Sequence, residues 1–245
     1  MNISRCAVGR SLCGYPTSPI TLPPSTIGVR MHPIHIAELL QPFLQQEQLS
    51  PEQLGYISTY IDILLRWNAR LNLTAVREPE QIVTRHFGES LFVACHLFPR
   101  SGPSVADLRV MDVGSGAGFP GLPLKIWAPG IHLTLIESNH KKSTFLREVI
   151  RFLTLTNVDV FPGRAEDFPA ADADVVTLRA VERFDKALAT AARLVAPGGR
   201  LALLIGTAQS AKVRKVVPDL TWHDPVEVPM SATQILQIAT RESNQ

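Results

Sequence analysis

The sequence predicts an α/β fold, a mostly parallel sheet with helices on both faces, preceded by an N-terminal helical subdomain. Three observations carry this. From about residue 105, short apolar strand patterns alternate with helical ones, as in parallel strands joined by right-handed crossovers. Between residues 31 and 100 the apolar residues recur at helical spacing only. The first strand runs straight into three alternate glycines, a form suited to a ligand-holding turn.

Residues 1–30 stand apart, as a disordered tail or extension. They hold seven Ser/Thr, four Pro and three Arg, and no acid. An organellar transit peptide is the alternative, opposed by Pro16, Pro19, Pro23 and Pro24, which break a basic amphipathic helix. Residues 31–100 form the helical subdomain. A short helix is broken or kinked at Pro42. A stronger one opens at Ser50-Pro51-Glu52-Gln53, an N-cap with a capping-box Gln, and Leu54, Ile57, Ile61, Leu64 and Leu65 make its buried stripe. A third begins near Arg77-Glu78-Pro79-Glu80, with Val83, Phe87, Leu91 and Ala94 inward. Residues 99–103 read as a linker.

Residues 105–245 form the α/β domain. Strands are expected at 109–113, 132–137, 158–161, 173–178 and 200–205, and two more at 226–228 and 234–240. The clearest helix between them is 141–153, with Phe145, Leu146, Val149, Ile150 and Leu153 on one face; another spans 185–195.

Composition excludes some classes. The 245 residues are 45% hydrophobic and 19% charged, which is ordinary for a globular chain. Net charge is +2, and without the three arginines of the first 30 residues the rest sums to −1, so whole-chain charge is no argument for a nucleic-acid partner. Cys6, Cys13 and Cys95 have neither disulfide-framework nor metal-ligand spacing, so the expectation is a reducing cytoplasm and no metal. No apolar run reaches the ~18 residues of a membrane span.

Chemistry concentrates in Asp112-Val113-Gly114-Ser115-Gly116-Ala117-Gly118-Phe119-Pro120-Gly121. A dinucleotide loop, G-x-G-x-x-G, would put its third glycine at position 119, which is Phe119. The spacing here is G-x-G-x-G with an acid two residues ahead, which resembles the first motif of class I methyltransferases and their Rossmann-like fold. Their cofactor is S-adenosyl-L-methionine, so Asp112, Gly114, Gly116 and Gly118 are candidate cofactor residues. Glu137 ends the second strand, where an acid can accept hydrogen bonds from both ribose hydroxyls. Ala165 and Glu166 follow the third, where a backbone N–H and an acid can read the adenine edge. A helix, Pro197-Gly198-Gly199 and an apolar strand complete a pattern unusual in dehydrogenases.

Taken whole, residues 50–205 resemble the small-subunit ribosomal RNA guanine-N7 methyltransferase family (RsmG, also called glucose-inhibited division protein B). The carriers are Arg66-Trp67-Asn68, Asn72-Leu73-Thr74, Arg85-His86-Phe87-Gly88-Glu89-Ser90, the glycine loop with its Pro120-Gly121 tail, Arg164-Ala165-Glu166-Asp167-Phe168 and Leu178-Arg179-Ala180. The resemblance implies cofactor contacts at Gly114, Phe119, Ala165, Glu166 and Arg179, with Arg179 also facing substrate. The substrate implied is 16S ribosomal RNA, free or in the 30S particle, and the enzyme a cytoplasmic monomer. The chain departs from the family at Ile205, usually Lys, and at Glu89, usually Asp.

Guanine N7 has a free lone pair and no proton, so its methylation needs alignment and no general base. His86 reads as a second catalytic candidate or as a core histidine, and Trp67 as a packing anchor. Three basic groups can meet phosphates or be solvated helix faces: Arg66, Arg70, Arg77 and Arg85; Lys141, Lys142, Arg147 and Arg151; and Lys212, Arg214 and Lys215. The competing functions are a noncatalytic ribosome-assembly factor of the same fold and a methyltransferase of small molecules or proteins.

Overall fold

A computed structural model describes residues 31–169, 172–181 and 183–243. The 1–30 segment, with Cys6 and Cys13, lies outside them, so neither reading of that segment is addressed.

The helical region opens with α1 (Pro33–Leu40), which tightens into a 3-10 turn at Gln41–Phe43, where Pro42 sits. Helix α2 (Pro51–Leu71) starts with both capping-box bonds, Ser50 with Gln53, and ends at Asn72 in the left-handed conformation at φ 48°. Ile57, Ile61 and Leu64 are buried, and Leu54 and Leu65 pack partly buried beside them. The expected third helix has three parts: α3 (Pro79–Ile82), a π-helical turn (Val83–Gly88) and α4 (Glu89–Leu97). Its inward residues Val83, Phe87, Leu91 and Ala94 are all fully buried.

The strands are β1 (Arg109–Val113), β2 (His132–Ile136), β3 (Val158–Phe161), β4 (Ala173–Arg179), β5 (Val195–Gly206), β6 (Thr221–Trp222), β7 (Val226–Glu227) and β8 (Gln234–Thr240). The sheet order is β3-β2-β1-β4-β5-β8-β6, with β7 also on β8. β1 to β5 pair in parallel, and β8 runs antiparallel to β5. Helices α5 (Gly121–Trp127), α6 (His140–Phe152), α7 (Phe184–Leu194) and α8 (Thr207–Val216) complete the chain. Side-chain alternation assigns the faces. Val110 of β1 joins the core beneath α1, α2 and α4 to α6, whereas Met111 and Val113 join the core beneath α7 and α8. The helical region therefore shares one continuous core with one face of the sheet.

Several boundaries shift by a residue, β6 was not expected, and the largest shift is at the start of β5. β2 stops one residue before Glu137. β5 begins at Val195, not at residue 200, and so ends α7 at Leu194. The Pro-Gly-Gly stretch stays laddered because Gly198 N–H donates to Arg241 O and Arg241 N–H to Gly199 O, both at 2.9 Å.

Candidate functional site

In an open parallel sheet, ligands bind beyond the carboxyl ends of the strands where the strand order reverses. Here that point lies between β1 and β4, neighbours on one side of which stand β2 and β3 and on the other β5. A cleft of about 720 Å³ opens there, within the usual span of ligand pockets, about 300–1,000 Å³.

The glycine loop forms its floor. The N–H groups of Gly114 and Ser115 both donate to Ile136 O, at 2.9 and 3.1 Å, tying the loop to the end of β2. Gly114 has φ +71°, and a Cβ there would lie 2.8 Å from the Val181 methyl. Gly114, Gly116 and Phe119 line the cleft, with Glu137, Ala165, Glu166 and Arg179. His86 lines it from the helical region.

Two of the sequence-predicted residues stand elsewhere. Asp112 is buried behind the loop and off the cleft wall, because its carboxylate accepts from Gly121 N–H at 3.2 Å and from the Thr177 hydroxyl at 2.8 Å. It anchors the start of α5. Burial pushes its carboxyl up to about 6, against the pull of those hydrogen bonds. Gly118 also faces the core, since the space where its Cβ would sit is filled by the Tyr60 hydroxyl and Leu122.

Glu137 is oriented by the backbone. Its Oε2 accepts from Gly116 N–H at 2.9 Å and its Oε1 from Asn139 N–H at 2.8 Å. Each oxygen keeps a further lone pair on a residue that lines the cleft. Ala165 and Glu166 lie in a 3-10 turn after β3. Lys186, 2.9 Å from the Glu166 carboxylate, holds its pKa below the usual range.

The opposite wall comes from the helical region. Arg179, last residue of β4, donates through Nη2 to Glu89 Oε2 and to Arg85 O, each at 2.6 Å. The side chains of Arg179 and Glu89 are 14% and 8% exposed, so this is a buried, charge-assisted pair. The sequence marks Glu89 only as a departure within the Arg85-His86-Phe87-Gly88-Glu89-Ser90 segment and assigns it no role; the structure makes it the counter-charge of Arg179. His86 stacks on Phe119 with ring centroids 4.9 Å apart, and Phe119 stacks on Tyr60 at 5.4 Å. The Tyr60 hydroxyl donates to Ala117 O at 2.5 Å. Burial first, then Arg179 and Arg85, push the His86 imidazole down to about 3, so it is neutral at physiological pH.

The Asn68 to Thr74 segment finds its reason here. The Asn68 amide clamps Thr74, accepting from its N–H and donating to its C=O, both at 2.9 Å. The Thr74 hydroxyl then lies 2.7 Å from His86 Nε2, and Leu73 and Thr74 line the cleft. Trp67 stays outside it, donating to Glu148 at 3.0 Å and packing edge-on against Phe145. Among the described residues, no three of His, Cys, Asp or Glu gather as metal ligands would, and no helix is long and apolar enough to cross a membrane.

A family model described as rRNA small subunit methyltransferase G (GidB) matches residues 53–237. The chain belongs to this family. Ribosomal RNA small subunit methyltransferase G of Xanthomonas campestris pv. campestris is 38% identical over 201 residues, 80% of this chain and 91% of its own. The protein of the same name from Chromobacterium violaceum is 36% identical over 200 residues, 80% of this chain and 92% of its own. Among solved structures, magnesium protoporphyrin IX methyltransferase from Synechocystis PCC 6803 superposes with a TM-score of 0.58 over 75% of this chain and 97% of that one. At 15% identity that likeness bears on the fold alone, which this member of the methyltransferase G family shares with the class I enzymes.

Proposed function

We propose that the chain transfers the methyl group of S-adenosyl-L-methionine to N7 of a guanine in small-subunit ribosomal RNA. The observation that carries the reading is one cleft uniting a side-chain-free loop and an oriented carboxylate with a separate wall built by the helical region. The donor set fits the cofactor. Gly114 and Gly116 leave backbone open to close approach, Glu137 offers acceptors for two vicinal hydroxyls, and Ala165 with Glu166 offers an N–H and a carboxylate for an aminopurine edge. When bound, the cofactor supplies an electrophilic methyl on a sulfonium sulfur. Phe119 and Arg179 border the space where methyl donor and base meet.

Residues 31–100 form the subdomain that supplies the substrate wall, and residues 105–245 the methyltransferase domain. The chemistry of that wall favours N7. His86 keeps Nδ1 without a partner among the described residues, but burial and then Arg179 and Arg85 push its imidazole down to about 3, and Glu89 is committed to Arg179. Neither stands ready to take a proton, which a ring nitrogen with a free lone pair does not release. The residues then act by alignment, holding acceptor and donor at attack distance. The substrate is the rRNA or the small-subunit particle, and the enzyme acts as a monomer in the cytoplasm.

The test incubates purified protein and labelled S-adenosylmethionine with undermethylated small subunits, naked rRNA and a metabolite extract. Label at guanine N7 of rRNA is the expected result. Label confined to small molecules or protein, or subunit binding with no transfer, would overturn it.

A further inference from the structure

We infer that the exposed face of α6 is the surface on which the phosphate backbone of the RNA substrate docks, an inference that rests on the RNA methyltransferase reading above. The sequence offers three basic groups, and the structure gives them different surroundings. In the group on α8, Lys212 is 2.7 Å from Asp185. In the helical region, the Arg66 Nε–H is turned back on the Asp62 carbonyl of its own helix at 3.2 Å. On α6, Lys141, Arg147 and Arg151 are exposed, and none has a carboxylate within 4 Å among the described residues; Arg147 Nη2 reaches the Val160 carbonyl at 3.4 Å. Arg70, Arg77, Arg214 and Lys215 share that freedom from carboxylates, and what sets the α6 group apart is its place on one helix whose first turn adjoins the cleft.

The outermost row of α6 carries no acid, and Lys141 stands beside that row on the flank it shares with Glu148. The sole acid in α6, Glu148, is half-buried and accepts from Trp67, on the side that packs against the helical region. His140, Thr144, Arg147 and Arg151 follow one another at steps of four, three and four residues, which keeps them on one side of the helix. From Lys141 to Arg151 the rise is about 15 Å, enough to meet several successive phosphates. The near end adjoins the cleft, since Asn139 and Lys142 line it. The far end carries a different feature. The Arg151 guanidinium lies 4.5 Å above the ring of Phe152, which is 39% exposed. A stacked arginine and exposed aromatic at the end of a cationic track is the composition that holds single-stranded bases. A strand entering the cleft at Lys142 would thus run outward along α6.

The test compares two triple variants of the full chain, Lys141→Gln/Arg147→Gln/Arg151→Gln and Lys212→Gln/Arg214→Gln/Lys215→Gln. For each, binding to undermethylated rRNA and to small subunits is titrated across salt, alongside cofactor affinity. The α6 variant should lower the slope of log affinity against log salt by about 2 to 3, from loss of three phosphate contacts. Its cofactor affinity should stay at the wild-type value, and the α8 variant should keep the wild-type slope. An unchanged slope in the α6 variant, while the wild type binds and methylates RNA, overturns this inference and spares the function. Weakened binding to subunits with unchanged binding to naked rRNA would assign the face to a ribosomal protein and overturn it equally. Wild-type protein that neither binds nor methylates RNA removes both readings.

Discussion

Two glycines two residues apart should fail in opposite ways. At Gly118, φ is +87°, and an added Cβ would overlap the Tyr60 hydroxyl and lie 2.7 Å from Leu122 Cδ1 and 3.1 Å from Leu146 Cδ2. Gly118→Ala therefore forces a side chain into left-handed backbone, about 1–2 kcal/mol. It displaces the Tyr60 hydroxyl from Ala117 O, leaving buried groups unpaired, about 1–3 kcal/mol. Overpacking adds about 1–3 kcal/mol. These effects share one displacement and do not add fully, so the expected loss is about 3–5 kcal/mol. For a chain of this length that lowers Tm by about 6–20 °C. At Gly116, φ is +56°, and the new Cβ meets only Gly114 O at 3.8 Å. Gly116→Ala should cost only the backbone strain, about 1–2 kcal/mol. Its methyl, however, stands on the cleft floor, and cofactor affinity should fall at least tenfold, about 1.4 kcal/mol. Thermal unfolding and calorimetric titration with S-adenosylmethionine check the pair. A Gly118→Ala protein melting within about 2 °C of wild type would refute the reasoning, as would Gly116→Ala melting lower than Gly118→Ala.

Glu89→Gln should destabilise by about 2–4 kcal/mol in urea unfolding, because it leaves a buried guanidinium without its counter-charge while the amide oxygen still accepts one bond. Turnover should fall with cofactor affinity intact; a stability change under about 0.5 kcal/mol would show that the pair contributes nothing. A pH prediction follows from two buried groups of opposite sign. Folded His86 binds its proton only near pH 3, against 6.5 unfolded, so its contribution is complete above pH 6.5 and is lost as pH falls, by up to about 5 kcal/mol. Folded Asp112 binds its proton near pH 6, against 3.8 unfolded, so its cost is relieved as pH falls through that window, by up to about 3 kcal/mol. Asp112→Asn removes the opposing effect and should lose stability more steeply than wild type between pH 6 and pH 4. Parallel stability curves for the two proteins would contradict this.

The sheet was legible because burial on both faces writes it into the sequence. Strands such as β1 and β4 are buried at nearly every position, and their Val, Met and Leu residues mark them although Asp112 and Thr177 are buried there too. The capping box of α2 was legible because its bonds join residues three apart. What escaped lacks such local marks. Helix α8 buries only Val213, so no apolar stripe announces it. The π-helical turn escaped because its inward residues keep ordinary helical spacing. Its consequences are long-range: the Arg85 carbonyl receives Arg179, 94 residues away, and bare Gly88 lies against the Phe43 ring.

The same distinction explains the division within the glycine loop. A sequence reads the three glycines and the leading acid as one motif with one purpose. The structure divides them by the direction each backbone position faces. Gly114 and Gly116 open onto the cleft, whereas Asp112 and Gly118 turn toward α5 and α2. What decides the direction at Gly118 is Tyr60, whose ring stacks on Phe119 and whose hydroxyl closes on Ala117, 57 residues along the chain. The helical region thus grips the loop at Phe119, through Tyr60 on one face, His86 on the other and Phe87 edge-on. A residue that binds cofactor and a residue that seats the loop can carry the same letter at the same spacing. Only the partner from a distant helix tells them apart.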